Sequence, residues 1–177
     1  MMKNLRLVLA IFVLSILASA APAHAQTGLA ADLQKDWTAL KDTMLKLGAA
    51  MPAEKFSFKP KPELRTFAEQ LTHVAGANVN FMRAVDPKAT PPTLNLKATT
   101  KDEVLKVLAD SFDFGASVLK DKTDAQLTAA ATDGPKFLMP ASVARVVYRC
   151  MGHTWDEYGV MTVYLRLNDI VPPASQR

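Results

Sequence analysis

One cysteine, Cys150, is all the sulfhydryl this chain has, so no intramolecular disulfide can form and the fold must stand on packing alone. Glycine is scarce too: the seven are scattered, and none fall as G-x-x-x-x-G-K or G-x-G-x-x-G, which removes the loops that cradle phosphates. With three histidines and no Gly-x-Ser-x-Gly, a serine-hydrolase triad is unsupported. There is no convincing alternating apolar run and no hairpin signal, which argues against a sheet. A large surplus of one charge is also missing. The formal net charge is +4, and setting aside Lys3 and Arg6 near the start leaves 19 basic against 17 acidic side chains, so nucleic acid is not a natural partner.

What is present begins with MMKNLRLVLAIFVLSILASAAPAHA, in which Lys3 and Arg6 precede an apolar run from Leu7 and Ala23-His24-Ala25 offers a small-residue cleavage site. Residues 1–25 are expected to be a secretory signal peptide, and the mature protein to be periplasmic or secreted. The competing reading is an uncleaved anchor. The run is short for a span of about 20 residues and breaks at Ser19 and Pro22, so no stable membrane span is expected after cleavage. Gln26 rather than a cysteine stands directly after the cleavage point, so no lipid anchor is expected there, and His24 leaves with the leader. Residues 26–177 fit one domain able to bury a core.

Helical periodicity dominates that segment. Leu29, Leu33, Trp37, Leu40, Met44 and Leu47 step by four and three, predicting a first helix that ends before Met51-Pro52. Thr66 and Glu69 have capping-box spacing ahead of a second helix to about Ala84, with a stripe of Phe67, Leu71, Val74 and Phe81. A proline-rich crossover, DPKATPPTLNLKATT, leads to a second such box at Thr100 and Glu103 and a third helix over about 101–121. Residues 123–130 read as a short helical piece and Asp133-Gly134-Pro135 as a turn. The last helix is predicted from about Pro140 to Leu167, with Pro172-Pro173 barring continuation. Four long amphipathic segments predict an all-α, antiparallel four-helix bundle.

On the last helix Val143, Val146, Val147, Cys150, Thr154, Glu157, Met161 and Tyr164 share one band, with His153 one step toward its edge. A glutamate ionised away from water costs several kcal/mol unless a proton, an inward Arg or Lys, or a metal ion compensates it. His153 and Glu157 are spaced i, i+4 and can share one cation. His73, mid-way along the second helix, is the one other histidine outside the leader, and it can reach across a bundle. Two imidazoles and a carboxylate would leave a coordination position open on Zn²⁺, Ni²⁺ or Fe²⁺. The bland reading of His-x-x-x-Glu, a solvated pair or a satisfied core histidine, stands beside it.

FKPKPELRTFAEQLTHVAGAN together with HTWDEYGVMTVYLRLNDIVPPAS resembles the DinB superfamily of four-helix metalloenzymes, and the likeness runs over essentially all of 26–177. It implies a divalent metal held by three histidines, one on the second helix and two spaced by four on the last. His73 and His153 take the first two places, and Glu157 stands where the third histidine is usual. The resemblance also implies a small-molecule substrate or low-molecular-weight thiol, such as bacillithiol, mycothiol or glutathione, whose pKa the metal would lower for a transferase, isomerase or hydrolase-like reaction. Homodimers through an exposed bundle face belong to the same expectation. The alternative is a metal-free binding or stress-response scaffold that has lost the family's site.

Other residues take plainer roles. Cys150 lies one turn before His153, where it reads as a small buried hydrophobe ahead of a fourth ligand or redox thiol. Glu69 reads as a cap ahead of a partner for His73, Trp37 as core, Asp156 and Tyr158 as outer-face residues, and Arg166 as solvated.

Overall fold

A computed structural model describes residues 28–176, so the leader expected at 1–25 lies outside the described residues. The helices are α1 (Leu29–Ala50), α2 (Phe67–Val85), α3 (Lys101–Leu119), the short α4 (Asp124–Thr128) and α5 (Val143–Arg166). Single 3₁₀ turns lie at Ala53–Lys55 and Pro173–Ser175, and there is no strand among the described residues. This is the expected all-α four-helix bundle. None of these helices is long and apolar enough to cross a membrane.

Each long helix buries the stripe its spacing predicts. Trp37, Leu40, Met44 and Leu47 of α1, Phe67, Leu71 and Val74 of α2, Val104, Leu108, Phe112 and Leu119 of α3, and Val146, Val147, Cys150, Met161 and Tyr164 of α5 form one core. Phe81 departs from the expected stripe: it is half-buried on the flank of α2, and Met82 takes the core position. Tyr158 departs as well, packing half-buried against the core with its ring edge-on to Trp155 instead of facing solvent.

The helix directions follow from cross-contacts. Trp37 Nε1 donates to the Phe112 carbonyl at 2.8 Å, while Lys101 at the start of α3 reaches the Ala49 carbonyl at the end of α1, so α1 and α3 are antiparallel. His73 meets Glu157 and Asn78 meets Cys150, so α2 and α5 are antiparallel too. Asn78 bonds Ser111 and Asp86 pairs with Lys122, which makes α2 and α3 run side by side in the same direction. The order is up, down, down, up rather than strict alternation. The crossover over 86–100 allows it, because two parallel helices need a connection that returns the full length of the bundle.

The ends show which capping signals work. At α2 the Thr66 side chain accepts from the Glu69 N–H at 3.1 Å and the Glu69 carboxylate accepts from the Thr66 N–H at 2.6 Å, the expected reciprocal box. At α3 the matching Thr100 hydroxyl donates to the Glu103 carboxylate at 2.8 Å, so neither side chain caps backbone there. A box not anticipated forms at Thr123 and Gln126 ahead of α4. The last helix starts at Val143 rather than Pro140, because Ala131 and Val143 bond back to the Ala141 and Ala129 carbonyls and Ser142 then caps the Arg145 N–H. It stops at Arg166, ahead of the prolines: Asp169 adopts φ 61°, and the Ile170 N–H reaches back to the Leu165 carbonyl.

Candidate metal centre

α2 and α5 cross the bundle in opposite directions, and the three predicted residues meet where they pass. His73, His153 and Glu157 each offer a ligand atom, and these atoms lie within 4.8 Å of one another. His73 Nε2 stands 3.6 Å from Glu157 Oε1, and the two imidazoles lie edge to face with centroids 5.1 Å apart. Ligand bonds of about 2.1 Å place neighbouring donors about 3.0–3.5 Å apart around one ion. The His73–Glu157 distance of 3.6 Å is just beyond that span, and no separation in the group exceeds it by more than about 1.3 Å, a gap that side-chain rotation can close. The donor set therefore fits a divalent cation.

Glu157 is the most enclosed of the pair it forms with His73, its side chain 14% exposed against 34% for the imidazole. Desolvation lowers the His73 pKa below its ordinary 6.5, the nearby Arg65 guanidinium lowers it further, and Glu157 works weakly the other way. Burial thus favours the neutral ring, the form that keeps the lone pair a metal needs, over an ion pair with Glu157 across their 3.6 Å separation.

Beneath the donors lies a closed polar network. Asn78, wholly buried on α2, accepts from the Thr154 hydroxyl at 3.3 Å and the Cys150 thiol at 3.5 Å, and donates to Ser111 of α3 at 3.3 Å. Ser111 and Thr154 also reach the Leu108 and Cys150 carbonyls, so no buried side-chain polar atom among the described residues lacks a partner. The network sets the register of α2 against α5 and with it the separation of His73 from His153. Cys150 is buried among these groups, its thiol pKa pushed well up by desolvation, and stands outside the three-donor group. Glu69 is occupied by its cap, Trp37 is core, and Asp156 and Arg166 are exposed as expected.

Two of the donors, His73 and His153, open on a cleft of about 1100 Å³ between α2, the crossover and the loop after α4, with Arg65, Arg149, Leu96 and Phe137 also on its walls. Sequence reasoning passed over both arginines and Asn78. Arg149, His153 and Glu157 form an i, i+4 row, and Asn78 sits on the apolar stripe after Val74, so both had a readable signal. Arg65 comes from a loop whose path no periodicity gives.

Fold and site together define a helical-bundle protein whose facing helices present a three-donor group able to hold one divalent ion. The sequence pattern of the DinB superfamily matches residues 36–161, and the chain belongs to that superfamily. A DinB-like protein from Bacillus cereus ATCC 10987 superposes with a TM-score of 0.69 at 18% identity, over 80% of this chain and 93% of that one. A DinB-like protein from Bacillus subtilis gives 0.64 at 15% identity, over 82% and 99%. At such identities the likeness is one of fold. No curated protein matches the chain.

Proposed function

We propose that this DinB-family protein binds one divalent metal through His73, His153 and Glu157 and uses it on a small molecule that enters the neighbouring cleft. The observation that carries the reading is the convergence of the three donors within 4.8 Å from two separate helices. A bound zinc, nickel or iron would supply Lewis acidity at an open position, lowering the pKa of a water or a low-molecular-weight thiol. The chain's own part is to hold two imidazoles and a carboxylate in register through the Asn78 network and to shield Glu157 from bulk water. The carboxylate also brings a charge that a third imidazole would lack. The proposal places the protein outside the cytoplasm, after removal of residues 1–25; N-terminal sequencing of the exported protein starting at Gln26 is the expected result.

Metal analysis of untagged protein tests the centre. About one equivalent is expected after reconstitution, lost in His153→Ala. Less than about a tenth of an equivalent with zinc, nickel and iron favours the second reading, a metal-free binding scaffold, whose support is Glu157 at the place where the resemblance implies a histidine.

A further inference from the structure

We propose that the cleft beside the three donors takes a small organic carboxylate with an apolar body, its oxyanion held by Arg65 and Arg149. The proposal deepens the reading above, since it names the class of molecule the donor group would meet. The binding step itself needs no metal.

Size comes first. Small-molecule sites run to about 300–1,000 Å³, and a cleft of about 1100 Å³ admits a whole ligand of that class. Charge comes next. Among the described residues no carboxylate lies within ion-pair reach of Arg65, whose guanidinium donates to Gln70 Oε1 at 3.2 Å and keeps further N–H groups for a ligand. Arg149 has only Asp156, at 3.9 Å and 75% exposed, a pairing that solvent screens. Two of the acidic side chains sharing the cleft have hydrogen-bond partners of their own. Glu69 accepts from the Thr66 N–H and lies in the field of Lys59, and Asp133 accepts from the Gly134 N–H at 2.7 Å. The wall's three cations, Lys59, Arg65 and Arg149, balance its three carboxylates in formal charge, and what sets the two guanidiniums apart is N–H groups not engaged by a close carboxylate, in planar forks that match one.

The apolar part has its own surface. Leu96 and Phe137 line the cleft yet stand 49% and 74% exposed, and a hydrocarbon lying between them removes that area from water. Arg149 is one turn before His153 on α5, so an anion held there brings its neighbouring carbons toward the donors.

The test is calorimetric titration of untagged, chelator-treated protein with 4-phenylbutyrate and with its neutral counterpart, 4-phenylbutan-1-ol. The acid is expected to bind at least about tenfold more tightly than the alcohol, with Arg65→Gln and Arg149→Gln each losing about tenfold. Both substitutions are at exposed side chains, and circular dichroism verifies that the variants fold. Equal affinity for acid and alcohol, binding of neither, or full acid affinity in the double arginine variant overturns the proposal. Zinc stoichiometry on the same samples separates the two readings. Arginine-dependent acid binding without zinc binding sinks the metal centre alone, and zinc binding without it sinks the carboxylate site alone.

Discussion

Gly115 on α3 lies directly under the indole of Trp37. A Cβ there would stand 2.6 Å from the ring's Cε2 and closer still to Cζ2. The ring is tied in place, since its N–H is held by the Phe112 carbonyl and it packs on the Phe112 ring with centroids 5.0 Å apart. Alanine would gain about 1 kcal/mol in helix propensity, but overpacking a rigid core site costs about 1–3 kcal/mol. Gly115→Ala is therefore expected to lower stability, by up to about 2 kcal/mol in urea unfolding; a variant more stable than the parent would show that the indole moves freely. The same scale shows what could be read without a structure. Glu157 was legible because a carboxylate in an apolar band demands an explanation, and the three donors do converge. Asn78 carried the same signal on α2 and was overlooked, and Phe81 and Met82 exchanged core places because adjacent residues differ by only 100° around a helix.

Among elements, α2 has an acid-sensitive start. Glu69 accepts the Thr66 N–H, and this bond, with smaller help from the Thr66 hydroxyl, Lys59 and Arg65, lowers its pKa below the ordinary 4.5. A carboxylate whose folded pKa is depressed stabilises the fold above its unfolded pKa and loses that stabilisation as pH falls through the folded value. The melting temperature of the native chain is thus expected to exceed that of Glu69→Gln at pH 7, and the gap to close as pH drops below 4.5. A gap that stays constant to pH 3 would mean that the glutamate acts by shape alone. Helix spans were the most legible feature, because a stripe of four or five apolar residues fixes where a helix must face the core. The boundaries followed local chemistry that spacing hides: Thr100 and Glu103 bond each other instead of the backbone, and the Ala131 and Ala141 backbone pairing holds the start of α5 three residues later than Pro140. Periodicity says which face is buried but is silent on direction, so the parallel run of α2 beside α3 was beyond it.

At the level of the whole molecule, the proposed ligands join helices whose mutual register otherwise rests on core packing and the buried Asn78 network. A metal that binds only the folded arrangement must stabilise it, by RT ln(1 + [metal]/Kd), or about 2.7 kcal/mol at a hundred times Kd. For a domain of roughly 150 residues each kcal/mol moves the melting temperature by about 2–4 °C. Zinc at that excess is expected to raise the melting temperature by about 5–10 °C, with full reversal by a chelator. His73→Ala, His153→Ala and Glu157→Ala should each abolish the shift, since each donor is a third of the group, whereas Gly115→Ala should melt lower but respond to zinc as the parent does. One equivalent of bound zinc with no shift, or a shift that survives loss of His73, would put the ion somewhere other than between α2 and α5. The comparison with Gly115→Ala matters because both kinds of variant weaken the fold, and only the loss of the response marks a ligand.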